Sequence, residues 1–495
     1  MRERIELLPV AAIVGVVAFA ARLLPVVRSH GLLGITEYDD GVHLGSALRL
    51  VNGSLPYRDF LFVQPPGISV LLAPFALLAG ATDEATMLVT VKLLFMVIGG
   101  LNAGLLCHVV RRDRGASAGT VAGVVYAFWT VATSTESTAL LEPLLNLALL
   151  VALTCLGTSV VSGRRATVAG ISLGLGITTK LWLVPVAVVL LVWAARERGR
   201  EVAVRVGVGV GVAAASIAGA FFVAAPRLMW NEIVLDQLGR GRGPTIASRL
   251  SLLTNDTLHI QERLGSNAAT TLMAGVIVAA FAGGAVSRAW LWMVLAATEL
   301  VLVLVAPSYY YHYGDFPALP LSALLGVSAG WALARNARRV RVAAGWAIAG
   351  VLLILMGFEL SERMPVTAAD ASVLKAFGRS HDCVWTDSAD AALLADREVS
   401  RSQGRCHQEL DLIGELIDMT RGKGLSDGEL DAAIVPQYQS LVRDELGRSD
   451  AVVLVRALGD HQWDARTRAL FRRRFQPAGS AGAITLWTRR EAPTR

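Results

Sequence analysis

The stretch MLVTVKLLFMVIGGLNAGLLCHVVRRDRGA, residues 87–116, determines the fold class of this chain. Residues 87–110 are almost entirely apolar, and about 20 apolar residues are enough for a helix to cross roughly 30 Å of hydrocarbon. The arginine cluster at 111–116 is typical of the cytoplasmic flank of a membrane span. The stretch therefore predicts a transmembrane helix and also its direction.

The composition of the whole chain agrees with this prediction. Of its 495 residues 54% are hydrophobic and only 17% are charged, whereas soluble proteins have about 25% charged residues. The mean hydropathy is +0.52, which excludes a disordered chain, and four cysteines are too few for a disulfide scaffold. The net charge of +6 comes from arginines beside apolar runs, so we expect no nucleic-acid partner.

Similar apolar runs recur along the first 360 residues. We predict eleven spans, at 7–27, 87–110, 117–133, 141–161, 166–179, 181–195, 204–225, 269–286, 290–306, 316–334 and 343–359. The apolar segment 66–80 is shorter, and we expect it to lie along the interface or to enter the membrane and return. The predicted fold class is thus an α-helical polytopic membrane protein of about eleven spans, residues 1–360, followed by a small α/β domain, residues 361–495.

Arginines in the short loops give the orientation. With a cytoplasmic N-terminus, every inside loop carries arginine; these loops are 111–116, 162–165, 196–205, 287–289 and 335–341. The outside segments are then the first outer loop, 28–86, and the segments 134–140, 180, 226–268 and 307–315, with the C-terminal domain. We therefore predict a plasma-membrane protein whose C-terminal domain is extracytoplasmic.

This orientation places the polar candidates for chemistry on the outer face. They are Glu37, Asp39, Asp40, His43, Arg58, Asp59, Gln64, Glu136, Glu142, Lys180, Arg240, Arg242, His312 and Asp315. The inside loops are short, and the sequence has neither a phosphate-binding G-x-x-x-x-G-K-[ST] loop nor an H-E-x-x-H zinc motif. Any catalysis should therefore take place on the outer side.

The first outer loop contains the acidic pair Asp39-Asp40, directly after a membrane exit and before a predicted helix at 41–51. Adjacent carboxylates repel, so the pair needs a donor, a cation or a proton. Three roles stay open: a general base for a hydroxyl acceptor, oxygen ligands of a divalent cation, or an N-terminal helix cap.

The motifs YDDGVH (38–43), PYRDF (56–60) and QPPG (64–67) resemble the polytopic glycosyltransferases of the GT-C superfamily. The nearest branch is the protein O-mannosyltransferase and lipid A aminoarabinose transferase group, similar to glycosyltransferase family 39. The resemblance implies a GT-C-like fold over residues 1–360. It also implies inverting transfer of a hexose or pentose from a polyprenyl-phosphate donor on the outer face.

The resemblance also assigns residues. The family's catalytic aspartate corresponds to Asp39, and its second acid to Asp40. STESTALLEPLLN (134–146) corresponds to the second outer loop and places Glu142 in the site. Two cations of the family are replaced here, one by Ser137 and the other by Gln64.

A departing phosphate needs fixed cations or hydrogen-bond donors. The candidates on the outer face are Lys180, Arg240, Arg242 and His312, and Tyr313, Arg58 and Gln64 complete the expected substrate-binding set. Each has a structural alternative: a snorkelling lysine, a solvated loop for the two arginines, an aromatic belt around the histidine, and a pair between Arg58 and Asp59.

Two ionisable residues, Lys92 and Glu299, fall inside predicted spans, where charge must be paired, face water or snorkel. In the C-terminal domain, runs at 383–387, 451–455 and 483–488 predict strands. Cys383 and Cys406 could form one disulfide, and we interpret Asp387 as a structural cap.

We therefore expect a membrane glycosyltransferase. It would use a polyprenyl-phosphate sugar, and its acceptor would be an outer-face glycan, lipid or protein. No cofactor is assigned, apart from a divalent cation as a candidate at Asp39 and Asp40. The competing functions are a transporter or flippase for lipid-linked sugars, and a non-catalytic envelope assembly protein.

Overall fold

The computed structural model describes residues 2–158, 160–241, 243–255, 257–335, 338–421 and 432–490. Each predicted span coincides with helix. The helices concerned are Arg2–Arg28, Glu84–Arg114, Ala116–Ala127 with Thr130–Thr135, Glu142–Leu156, Gly163–Thr179, Leu183–Glu197, Arg200–Ala224, Ser266–Val286, Trp290–Val305, Asp315–Arg335 and Arg338–Ser361. The apolar segment 66–80 forms the short helix Gly67–Ala79, which contains Pro74.

Six stretches within the described residues are long and apolar enough to cross a membrane by themselves. They are Pro9–Arg28, Glu84–Arg114, Arg200–Ala224, Ser266–Val286, Tyr311–Arg335 and Arg341–Ser361. The other apolar helices are shorter, for example Glu142–Leu156 and Trp290–Val305. The chain is therefore a multi-pass membrane protein, and the helices do not fix the number of spans at eleven.

The chain forms two compact units. The first comprises residues up to Val26, Leu93–Ala218 and Pro244–Arg363. The second comprises Val27–Lys92, Gly219–Gly243 and the residues from Met364 onward. This division differs from a single boundary at residue 360, because the first outer loop belongs to the same unit as the C-terminal residues.

The first unit is a helical assembly with a core of leucine, alanine and valine side chains. Its helices approach closely where small residues meet. A Cβ atom on Gly100 would lie 2.8 Å from the carbonyl oxygen of Gly15, and one on Gly104 would lie 2.9 Å from that of Ala11. Close backbone contact of this kind stabilises helix pairs in membranes, where the hydrophobic effect between helices is absent.

The second unit contains a four-stranded sheet in the order β1-β2-β4-β3. The strands are β1 (Val384–Thr386), β2 (Ala451–Leu454), β3 (Phe475–Ala481) and β4 (Ile484–Arg489). β1 and β2 are parallel, and the other pairs are antiparallel. The predicted strands correspond to β1, β2 and β4. β3 is not among the predicted strands, because FQPAGSA contains proline and glycine and its five central residues are exposed.

The C-terminal residues of this unit pack on the first outer loop through buried charges. The Arg49 guanidinium donates from Nε to Glu398 (2.9 Å) and from Nη2 to the carbonyl of Gln408 (2.8 Å). The carboxylate of Glu84 accepts the backbone N–H groups of Glu398 and Val399, at 2.8 and 3.0 Å. These bonds satisfy charges that would be costly if buried alone. They hold the loop helix Asp39–Val51 in place.

Candidate active site

Asp39 and Asp40 begin the helix Asp39–Val51 of the second unit, and the structure gives them different environments. Asp40 is fully buried: its Oδ1 accepts the N–H of Gly41 at 3.1 Å, and its Oδ2 lies 4.0 Å from Lys92 Nζ. Asp39 is only partly buried. Both acids lie in the first helical turn, where the helix dipole favours negative charge, but only Asp39 keeps exposed surface.

Lys92 is buried and satisfied within this unit. Its ammonium group donates to the carbonyl oxygens of Gly31 (3.1 Å) and Gly34 (2.8 Å), in addition to its ion pair with Asp40. It therefore anchors the chain just before the acidic pair, and it does not snorkel to the membrane surface.

Two further acids, from the C-terminal residues, lie beside this pair. A Cβ atom on Gly41 would lie only 2.4 Å from the backbone nitrogen of Asp390, so glycine is required there for the close approach. Burial raises the pKa of Asp390 well above its usual range, and the neighbouring charge of Asp40 adds to this. The hydroxyl of Tyr38 donates to Asp411 Oδ1 at 3.0 Å.

Asp411 also accepts the N–H of Gly414 at 2.8 Å and so caps the helix Leu412–Met419. Burial raises its pKa, the charge of Asp39 acts in the same direction, and Arg240 opposes both. Asp390 and Asp411 were not predicted from the sequence, because the local sequence of each one is typical of an acidic residue at the N-terminus of a helix. Only their position in the fold brings them to the loop.

In the first unit, Glu142 collects two of the predicted cationic residues. It begins the helix Glu142–Leu156, Lys180 ends the helix Gly163–Thr179, and His312 lies in the short turn Tyr311–Gly314. Lys180 Nζ lies 2.5 Å from Glu142 Oε1, and His312 Nδ1 lies 3.1 Å from Oε2. All three side chains are buried.

Aromatic rings complete this cluster. Lys180 Nζ lies 4.2 Å from the ring centre of Trp182 and 4.0 Å from that of Tyr313. The ring of His312 meets that of Tyr313 edge to face at 4.7 Å. The predicted set Glu142, Lys180, His312 and Tyr313 is therefore brought together, and Lys180 is held by a carboxylate and two aromatic faces. It is not a snorkelling lysine.

A second buried polar network lies in the same unit. Glu136 accepts bonds from Arg22 Nε and from Asn102, both at 2.7 Å, and the Tyr126 hydroxyl lies 2.8 Å from both Glu136 and Asp315. Glu299 is fully buried, and neither of its carboxylate oxygens has a hydrogen-bond partner among the residues that the structure describes. Glu136 follows the helix Thr130–Thr135 and Asp315 begins the helix Asp315–Arg335; their position on the outer face stays a prediction.

The remaining predicted site residues are in the second unit. Arg58 is half exposed and pairs with Asp59 at 2.7 Å, which matches the structural alternative. The backbone carbonyl of Gln64 accepts the hydroxyl of Tyr57 at 2.7 Å. Arg240 is partly buried, and its charge acts on Asp411. The predicted residue Arg242 lies outside the described residues.

The two groups of candidates thus belong to different units, with Asp39, Asp40, Arg58, Gln64 and Arg240 in one and Glu142, Lys180, His312 and Tyr313 in the other. That they line one common cavity stays a prediction.

Among the residues that the structure describes, the acidic pair does not form a metal site with its neighbours. Among the described residues, no group of three or more His, Cys, Asp or Glu side chains has the arrangement needed to hold a metal ion. Asp40 already contacts a lysine and a backbone N–H. The residues present therefore do not fit a resident divalent cation, and we derive no step through one.

Solved structures of membrane enzymes share the fold of this chain. ArnT from Cupriavidus metallidurans bound to undecaprenyl phosphate is 14% identical, with a TM-score of 0.53 and 97% of each chain covered. The Archaeoglobus fulgidus oligosaccharyltransferase tethered to an acceptor peptide is 11% identical, with a TM-score of 0.56 and coverage of 90% of this chain and 68% of that one.

The same archaeal enzyme, AglB, in complex with an inhibitory peptide and a dolichol-phosphate gives a TM-score of 0.53 at 12% identity, covering 91% and 69% of the two chains. The chain therefore has the GT-C-like fold of polytopic membrane glycosyltransferases, as the sequence resemblance implied.

The family model that matches the chain is that of glycosyltransferase family 87, over residues 62–307, just under half of its length. The sequence resemblance indicated glycosyltransferase family 39, whereas the matching model is that of family 87. No curated protein matches the chain.

Proposed function

We propose that this protein transfers a monosaccharide from a polyprenyl-phosphate donor to an acceptor hydroxyl on the outer face of the plasma membrane. The acceptor is a glycan, lipid or protein of the cell envelope. The glycosyltransferase family model supports the reaction class. The polyprenyl donor is supported by two structural neighbours, one bound to undecaprenyl phosphate and the other to a dolichol-phosphate.

The observation on which the proposal depends is the difference between the two adjacent acids. Asp40 is enclosed by Lys92 and its own helix, so it stabilises the loop. Asp39 lies at the same helix start but keeps exposed surface. A carboxylate that a substrate can reach suits a general base. Asp39 is therefore the proposed base, and Asp40 and Asp411 are positioning residues.

The proposed reaction is a direct displacement with inversion. Asp39 takes the proton of the acceptor hydroxyl, the acceptor oxygen forms a bond to the anomeric carbon, and the bond from that carbon to the phosphate oxygen breaks. The polyprenyl phosphate leaves with the bonding electrons and gains negative charge, which fixed cations stabilise.

Lys180 and His312 are the proposed phosphate-binding cations. They share the single carboxylate of Glu142, so the cluster carries a net positive charge whenever His312 is protonated. Nδ1 of His312 lies 3.1 Å from Glu142 Oε2, so this contact fixes the plane of the imidazole ring. Glu142 thus orients both side chains. Arg240 and Arg242 are proposed to assist from the 226–268 segment.

The proposed orientation follows the arginine bias, with the C-terminal domain extracytoplasmic. The disulfide between Cys383 and Cys406 is consistent with this side, because disulfides persist in oxidising compartments.

The decisive experiment uses purified protein in lipid nanodiscs with radiolabelled polyprenyl-phosphate sugars and an envelope extract. We expect Asp39→Asn to reduce transfer by about 10²- to 10⁴-fold, the usual contribution of a general base, with unchanged folding. Asp444→Asn is the matched control, since Asp444 is an exposed carboxylate of the same unit.

A wild-type protein that transfers no sugar from any donor of the panel would contradict the proposal. So would an Asp39→Asn variant as active as the control. If the wild-type protein instead moved lipid-linked sugar between the leaflets of sealed vesicles, and Asp39→Asn did so equally well, the protein would be a flippase.

A further inference from the structure

The segment 226–239 of the second unit is a helix with an inverted distribution of polarity. It consists of Pro226–Trp230, a wider π-helical turn at Asn231–Leu235, and Asp236–Gly239. Its buried side chains recur at positions 229, 232, 233 and 236, the spacing of one helix face. Two of these four are acids: Glu232 is 5% exposed and Asp236 is fully buried.

The opposite face is apolar and exposed. Leu238 is 67% exposed and Trp230 is 56% exposed, and Leu228 and Leu235 are also exposed. A surface helix in water has the reverse pattern, with charged residues outside and apolar residues inside. Exposed leucine and tryptophan opposite buried carboxylates indicate that the outer face contacts something other than water.

The position of the segment in the chain identifies that contact. The candidate span Arg200–Ala224 ends two residues before Pro226, so the segment follows the end of a membrane-spanning helix directly. Tryptophan and leucine on one face of a helix at this level are typical of helices that lie in the membrane interface. Arg227, exposed at the start of the segment, is suited to lipid phosphates.

We infer that segment 226–239 is an interfacial helix whose exposed face, Leu228, Trp230, Leu235 and Leu238, is immersed in the headgroup region of the bilayer. The buried face connects this helix to the motif of the first outer loop. Glu232 accepts the N–H of Phe62 at 2.8 Å, and Gln237 donates to the carbonyl of Val63 at 2.8 Å.

The consequence is a mechanical link from lipid to loop. The two bonds hold residues 62 and 63, which directly precede the Gln-Pro-Pro motif, against a helix whose depth the membrane sets. Arg240 directly follows the last residue of the helix, so an interfacial helix would bring it to the level of lipid phosphates. A role for Arg240 in binding the donor phosphate rests on the proposed function.

The test places a nitroxide spin label at Leu238→Cys in nanodiscs of phosphatidylcholine and phosphatidylglycerol, with the two free cysteines replaced by alanine. Ile434→Cys is the matched control, because Ile434 is also 67% exposed and lies in the same unit. We expect the label at 238 to be relaxed mainly by oxygen, which concentrates in lipid, and the label at 434 by a water-soluble nickel chelate. Trp230→Cys should behave like Leu238→Cys.

A label at 238 as accessible to nickel as the label at 434 would overturn the inference. Protection of position 238 from both relaxing agents, with dipolar broadening between labels, would also overturn it, because the occupant would then be a second copy of the chain. The measurement needs no sugar transfer, so its outcome is independent of whether the protein proves to be a glycosyltransferase.

Discussion

The ion pair between Glu142 and Lys180 gives the sharpest test of the candidate phosphate site. The two groups lie 2.5 Å apart, and their side chains are 0% and 8% exposed. Removing one partner of such a buried pair costs about 3–5 kcal/mol, because the other charge stays buried without its partner. Lys180→Met also removes two cation–aromatic contacts, worth about 1–2 kcal/mol in all.

We therefore expect Glu142→Gln to lower the free energy of unfolding by about 3–5 kcal/mol, and Lys180→Met to lower it by about 4–7 kcal/mol. The double variant should cost less than the sum of the single variants by at least about 2 kcal/mol, since the second substitution removes a charge that the first had already left unpaired. The assay is reversible unfolding in mixed micelles with increasing dodecyl sulfate. Circular dichroism is the better signal, because Trp182 touches Lys180 and its fluorescence would respond locally.

The control pair is Glu201 and Arg205, one helical turn apart on an exposed surface and 2.8 Å from each other. Their coupling should be no more than about 0.5 kcal/mol. If the double variant at 142 and 180 cost the sum of its single variants within about 0.5 kcal/mol, the two groups would not interact as described. Glu142 would then not orient the cationic side chains of the site.

Three further predictions concern the second unit. Burial raises the pKa of Glu232 to about 8, so the folded state holds a proton that the unfolded chain loses near pH 4.5; stability should fall as pH rises between these values. Between these pH values the unfolding midpoint of Glu232→Gln should fall less than that of the wild-type protein. An equal fall in both proteins would contradict the raised pKa of Glu232. Arg49→Met should lower the free energy of unfolding by about 3 kcal/mol, because the buried Glu398 loses one of its partners. Arg379→Met is the control, and because this side chain is exposed the change should be less than about 0.5 kcal/mol. Equal urea midpoints of unfolding for the two variants would refute this prediction. The disulfide joins Cys383 and Cys406, which are 23 positions apart in the sequence. Its reduction by dithiothreitol should lower the free energy of unfolding by about 3 kcal/mol. An unchanged free energy of unfolding would show that the bond does not restrict the unfolded chain.

The membrane helices could be predicted from the sequence because their signal is local. An apolar run of sufficient length, bounded by arginine, needs no distant partner to be recognised. The same holds for the loop helix, predicted at 41–51 and observed at Asp39–Val51. The cluster of Glu142, Lys180 and His312 was found from a resemblance of short motifs, and the distances now support the grouping.

The partners of the acidic pair could not be predicted in this way. Asp390 and Asp411 lie about 350 or more residues along the chain from Asp39, and nothing in their local sequence distinguishes them from capping residues. The buried role of Asp40 was also invisible, because adjacent acids look alike in a sequence and differ only in what packs around them. The division into two units, each built from separated segments, is likewise a property of the fold alone.

The discontinuous second unit has a consequence for synthesis in the cell. Arg49 is buried against Glu398, which is 349 residues further along the chain. At roughly 5–20 residues per second, translation takes about 20–70 s to deliver that partner. During this interval the loop that bears the proposed base has emerged without the residues that hold it. A premature stop between Arg363 and Glu398 would therefore leave every candidate membrane span in place but deprive Arg49 of its partner, and we expect membrane quality-control proteases to remove such a chain.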